Sequence, residues 1–274
     1  MKNILVAIDF SHTSLNAAKY ALLLAQPFNA NVTLVNVVAP PVVLDDSILA
    51  FVMTTQAEIL TSHNELMEKE VEKLSHLQSS KISGIVKEGY PLETIIEVSE
   101  SLMSDLIVMG RKGKGNSSSL FGSTTTAIVR KGILPVFVIP ENAKYEFIDN
   151  ITFATDFNPE TEREKYSLLV KLAKKYDSFV RILNVQKNVS EMNEDEFIGK
   201  MKSTYAFSDL KYSFETIQFK TVIDGITHFL EENTSDILVM MSHPHSFFER
   251  IIRKTHTREM SYQTKIPLLI LPGN

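Results

Sequence analysis

Residues 3–10, NILVAIDF, return as NITFATDF at residues 150–157. Asn3 and Asn150, Ile4 and Ile151, Ala7 and Ala154, Asp9 and Asp156, and Phe10 and Phe157 coincide at a single offset. A short apolar run closed by an acidic residue is the pattern of a strand covered on both faces and the turn that leaves it. Its return halfway along the chain decides the fold, because further matches follow in the same order. Lys19-Tyr20 meets Lys165-Tyr166 after a one-residue gap, and Asn36-Val37 meets Asn184-Val185. Asp105-Leu-Ile-Val-Met109 meets Asp236-Ile-Leu-Val-Met240, and Leu134-Pro-Val-Phe-Val-Ile-Pro140 meets Ile266-Pro-Leu-Leu-Ile-Leu-Pro272. Collinear matches over both halves mark an internal repeat. The boundary falls in the polar stretch Glu141–Asn150, giving domains of residues 1–142 and 143–274.

Within each copy, short Val/Ile-rich runs alternate with longer helical patterns. The first copy has expected strands at Asn3–Ile8, Val32–Val38, Ile82–Lys87, Leu106–Met109 and Val136–Ile139. Between them lie expected helices at Ser14–Gln26, with Ser11 or Thr13 as N-cap, and at Ile48–Leu77. Another opens at Pro91, and the last runs over Thr124–Lys131 and is closed by Gly132. The second copy has expected strands at Ile151–Thr155, Val180–Val185, Ser213–Thr221, Ile237–Met241 and Leu268–Leu271. Its helices include Thr161–Tyr176 and Gly225–Asn233. The alternation predicts an α/β fold: two tandem doubly wound, Rossmann-like domains, each a five-stranded parallel sheet flanked by helices.

Composition narrows the function. The 28 Lys+Arg against 33 Asp+Glu give a net charge of −5, which argues against a nucleic-acid partner. The absence of cysteine excludes disulfides, thiolate metal sites and a Cys nucleophile. Apolar runs reach only about five to eight residues, against roughly 20 for a membrane span, so no membrane association is expected. The opening run meets Asp9 too early for a signal-peptide core, so a cytoplasmic location is expected.

In open α/β sheets, ligands bind beyond the carboxyl ends of the strands. After the fourth strand of the first copy comes Gly110-Arg-Lys-Gly113-Lys-Gly115-Asn-Ser-Ser-Ser-Leu-Phe-Gly122-Ser-Thr-Thr-Thr126. Glycines let backbone N–H groups approach a phosphate, and Gly122-Ser123-Thr124 enters a helix whose N-terminus favours anions. Arg111, Lys112 and Lys114 add positive charge, so a polyphosphate suits this loop; a solvated Gly/Ser surface loop is the alternative. It is no P-loop, because Asn116 stands where the phosphate-binding lysine would. Asp9 can hydrogen-bond a nucleoside or serve as a turn or cap residue. Phe10-Ser11-His12-Thr13-Ser14 lacks the glycines of a dinucleotide fingerprint.

These residues resemble a tandem universal stress protein over nearly the whole length. The loop is similar to that family's ATP-binding pattern G-x2-G-x9-G-[ST] at Gly110, Gly113, Gly122 and Ser123, with eight rather than nine residues before Gly122. The resemblance implies ATP as the ligand, with Mg2+ as the ion that can accompany it. Asp9 would contact the nucleoside, the Val37 backbone the adenine, and Gly110, Gly113, Gly122, Ser123 and Thr124 the ribose and phosphates, beside Arg111. It also implies a stress-response or signalling role. The sequence has no identifiable nucleophile–base pair and no G-x-S-x-G elbow, so dedicated catalysis is not expected, with slow ATP hydrolysis as an alternative. A nucleotide-independent interaction scaffold is the alternative.

The second copy departs from the pattern. After Met240-Met241 it reads SHPHSFFERIIRKTHT, residues 242–257, without glycine. This half is expected not to bind ATP but to pair with the first as an internal pseudo-dimer, which can itself form a homodimer. His243, His245 and His256 lack a convincing carboxylate set for a metal. Phe247, Phe248, Ile251 and Ile252 fit a buried helix face better than a lipid pocket. Glu65–Glu72 reads as a solvated helix face.

Overall fold

The computed structural model describes residues 1–41, 49–77, 81–111, 122–186, 194–242 and 266–273, with the side chains of 49–54 excepted. The chain divides into two compact units, Met1–Gly110 and Arg111–Asn274.

The first unit runs β1 (Asn3–Ala7), α1 (His12–Ala25), β2 (Asn31–Val38), α2 (Leu49–Ser75), β3 (Ile82–Glu88), α3 (Pro91–Ser101) and β4 (Leu106–Gly110). Its strand order is β3-β2-β1-β4, and every pair is parallel. Ile4, Leu5 and Val6 of β1 and Leu106, Ile107 and Val108 of β4 are buried, as strands covered on both faces require. Ser11 is the N-cap of α1; its Oγ accepts from the Ser14 N–H at 3.3 Å. α1 buries Ala17, Ala18, Ala21, Leu22, Leu24 and Ala25.

The second unit runs α4 (Ser123–Lys131), β5 (Val136–Ile139), β6 (Asn150–Ala154), a 3-10 turn (Arg163–Tyr166), α5 (Ser167–Tyr176), β7 (Phe179–Gln186), α6 (Glu194–Phe207), β8 (Lys211–Gln218), α7 (Val222–Glu232), β9 (Ile237–Ser242) and β10 (Leu268–Pro272). The second copy's five strands lie in the order β10-β9-β6-β7-β8 and are parallel, as the alternation predicts. β5 adds to that sheet antiparallel to β10, with Leu268 opposite Val138, Leu269 opposite Phe137 and Ile270 opposite Val136. The antiparallel pair was not foreseen.

Two other expectations change. Thr161–Tyr176 is not one helix: Thr161 lies in a turn, Arg163–Tyr166 is a 3-10 turn, and α5 begins at Ser167. α6 was not foreseen, because it carries apolar residues on two faces. Gly199, Ser203, Ala206 and Phe207 are buried, and Phe197, Ile198, Met201 and Tyr205 are exposed, so no clean amphipathic stripe appears.

The repeat is reproduced atom by atom. The Asp105 carboxylate accepts from the Asn3 N–H at 3.0 Å, and that of Asp236 from the Asn150 N–H at 2.7 Å. In return the Asp105 N–H donates to Asn3 O and the Asp236 N–H to Asn150 O, each at 2.9 Å. α1 and α5 both hand over to the next strand through a left-handed residue, Asn29 at φ 51° and Asp177 at φ 56°.

Candidate functional site

In the first unit β1 has β2 on one side and β4 on the other. The chain therefore turns in opposite directions beyond these strand ends, the place where open sheets receive ligands. Ala7 is paired with Val35 and with Met109. Asp9 and Val37 each lie two residues past that level, and Gly110 one residue past it. Three of the expected site residues thus share the carboxyl edge of one sheet.

Val37 has the character expected for a backbone contact. The Ile8 N–H donates to Val35 O at 2.9 Å, so Val35 faces β1; the Gly89 N–H donates to Val38 O at 2.9 Å, so Val38 faces the β3 side. Backbone groups alternate along a strand. The N–H and C=O of Val37 therefore face the side on which β1 has already ended.

The reading of Asp9 left a ligand role and a turn or cap role open, and in the structure its carboxylate closes the turn before α1, whose N-cap is Ser11. Oδ1 accepts from the Ser11 N–H at 3.1 Å and from the Ser11 hydroxyl at 2.5 Å, while the Asp9 N–H donates to Ser14 Oγ at 3.2 Å. Partial burial pushes its pKa up, but the hydrogen bonds from Ser11 and Ser14 outweigh this and hold the carboxyl below the usual value. Asp9 is therefore a fixed negative charge at the strand end. Phe10, next in the chain, has φ 60°, a strained conformation for a bulky residue.

Gly110 is explained by packing. A Cβ there would stand 2.8 Å from Thr13 O and 3.0 Å from Ser14 N, so the first turn of α1 lies directly against it. Gly122 differs: it has φ −61°, and a Cβ would meet nothing within 4 Å among the described residues. Neither strain nor packing demands glycine at that position. Gly122 begins α4 with no side-chain cap, and no acidic residue stands in the first turn. The leading N–H groups of α4, beside exposed Ser123 and half-buried Thr124, suit an anion. Arg111 donates its backbone N–H to Ile139 O at 2.7 Å. Gly113, Lys112 and Lys114 lie outside the described residues, as do His243, His245, His256 and the Phe247–Ile252 cluster. Among the described residues no group of three His, Asp or Glu could hold a metal.

Two residues of this edge escaped the sequence reading. One is Phe10. The other is His63 of α2, whose Nδ1 lies 2.7 Å from Asn36 Oδ1 and whose ring meets Phe10 edge-on at 5.6 Å. His63 sits just before a stretch read as solvated, so nothing in its spacing announces it.

The second copy builds the same edge and closes it. The Asn184 amide donates to Thr155 O at 3.0 Å, as Asn36 does to Ile8 O at 2.9 Å, and Phe157 has φ 53°. Met241, buried, stands where the first copy has Gly110. α5 begins only at Ser167, so the second copy has no α-helical turn corresponding to the one of Thr13 and Ser14. α6 passes so close that a Cβ on Gly199 would stand 1.8 Å from Phe157 O. Phe157 is buried and packs on Phe214 at 5.9 Å, over which Lys200 lies at 4.7 Å.

Known proteins agree with this architecture. A curated universal stress protein of Methanocaldococcus jannaschii is 32% identical over 145 residues, covering 52% of this chain and 84% of its own. One of Synechocystis sp. is 22% identical over 290 residues, covering 98% and 99%. Among solved structures, a universal stress protein from Archaeoglobus fulgidus shares the fold with a TM-score of 0.71 at 17% identity, covering 99% of this chain and 98% of its own. The sequence model described as the universal stress protein family matches residues 1–140, half of the chain. This chain belongs to the universal stress protein family.

Proposed function

We propose that the chain is an ATP-binding stress-response and signalling module with one nucleotide site, contributed by the first sequence repeat. The observation that carries this reading is the contrast between two copies of one turn. In the first, the Val37 backbone faces past the end of β1 and Phe10 is half-buried; in the second, Phe157 is buried against Phe214 and the α6 backbone at Gly199, and buried Met241 stands in place of Gly110. Asp9 receives a nucleoside hydroxyl or amine, and the Val37 backbone meets the adenine edge. The loop from Gly110 through Arg111 and Gly113 to Gly122, with Ser123 and Thr124, holds ribose and phosphates. The uncapped start of α4 fits a phosphate, and Mg2+ would arrive on the phosphates, since the described residues offer it no carboxylate set. We assign binding rather than turnover, because the sequence offers no identifiable nucleophile–base pair. The antiparallel pairing of β5 with β10 supports reading the repeats as an internal pair.

Isothermal titration with ATP tests this. One site per chain is expected, and Gly113→Val should weaken binding at least about tenfold by blocking backbone approach to phosphate. No heat from the wild type, or identical binding by the variant, overturns the reading. The competing scaffold reading is favoured by the exposed Phe197, Ile198, Met201 and Tyr205 of α6. Mass spectrometry of ligand released from purified protein separates the two: bound nucleotide supports the first, and its absence with a silent titration supports the second.

A further inference from the structure

We propose that His63 is a positioning residue of the first-repeat nucleotide edge, fixing the turn that carries Asp9 and the strand end that carries Val37; this rests on the nucleotide reading above. The argument begins with Asn36. Its Nδ2 donates to Ile8 O at 2.9 Å, bracketing the end of β1 to β2. The opposite amide orientation would set two acceptors against each other, so the atom facing His63 is Oδ1. Oδ1 only accepts, so the His63 Nδ1 at 2.7 Å carries the proton and donates it. The same ring packs edge-on against Phe10 at 5.6 Å. His63 therefore touches the residues adjacent in the chain to both nucleoside contacts, Asn36 beside Val37 and Phe10 beside Asp9.

The second copy is a built-in control. It keeps the bracket, with the Asn184 Nδ2 donating to Thr155 O at 3.0 Å, and it keeps the strained phenylalanine, Phe157 at φ 53°. Among the described residues it has no counterpart of His63, and Asn184 Oδ1 is buried without a hydrogen-bond partner there. The fold therefore tolerates the orphaned acceptor, and the bracket forms without a donor to complete it. What the histidine adds is specific to the first copy. There Phe10 remains half-buried, while Phe157 is held by burial against Phe214 and the α6 backbone. An open edge needs its side chains held from one side, and α2 holds them through a ring that is both donor and packing surface.

The test is ATP titration of the full chain as wild type, His63→Ala and His63→Asn, each checked for a retained urea midpoint. Asparagine restores a donor near the Nδ1 position. His63→Ala should bind about five- to tenfold more weakly, and His63→Asn should recover most of that loss. A His63→Ala affinity equal to the wild type overturns the proposal, as does an equal loss in both variants. If the wild type binds no ATP, the nucleotide reading fails, and backbone amide NMR decides this one separately. Shifts at Asp9, Phe10 and Val37 in His63→Ala, reversed in His63→Asn, uphold the positioning role; unchanged amides overturn it.

Discussion

Gly110 was legible in the sequence as the first glycine of a loop suited to phosphate, but the reason glycine stands there was not. A Cβ at this position would press on Thr13 O at 2.8 Å and Ser14 N at 3.0 Å, both backbone atoms of a capped helix turn that cannot step aside. Gly110→Ala should therefore cost about 1–3 kcal/mol of stability, read as a lowered urea midpoint. An unchanged midpoint would mean that α1 gives way freely. Glycine serves both loop freedom and close packing, and only the neighbouring helix reveals the second role. Asp9 presents the same ambiguity. An aspartate two residues before a serine can bind a ligand or close its own turn, and here Oδ1 does the latter through Ser11.

At the level of elements, the alternation of strands and helices was readable because parallel strands buried on both faces form unbroken Val/Ile-rich runs. α6 was not readable, because its buried side is mostly small, Gly199, Ser203 and Ala206 with Phe207 at its end, while large apolar residues stand exposed: a helix that must pass close to a backbone cannot show a stripe of large ones. Gly199 is the point of closest passage, 1.8 Å from a would-be Cβ to Phe157 O. Gly199→Ala gains about 1 kcal/mol of helix propensity. It also meets an overlap that only a shift of α6 can relieve, at about 3 kcal/mol. The net expectation is a loss of about 2 kcal/mol by chemical denaturation, with Phe157 and Phe214 resonances displaced. A stabilised variant would show that α6 does not seal the second copy. This element covers Phe157 in the second copy, and no motif comparison reveals it.

For the whole molecule, the duplication was legible from collinear identities, whereas the pairing of β5 with β10 was not. Both strands read as buried parallel runs, and sequence holds no mark of which edge meets which. Val136, Phe137 and Val138 are almost fully buried, so β5 depends on β10 to cover one edge. A chain ended after residue 142 lacks that cover and should self-associate edge to edge, running as a dimer in light-scattering chromatography. Val138→Lys in the same fragment should return it to a monomer. A monomeric unmodified fragment would show that β5 needs no partner. The distance along the chain between these two strands also sets a clock. Leu268 lies about 130 residues after Val138, and at 5–20 residues per second synthesis of that interval takes roughly 6–26 s. Strand pairing itself takes microseconds. Each newborn chain therefore carries an open edge at β5 for almost the whole production of its second half, and in that interval the β5 edges of two chains growing side by side can pair with each other.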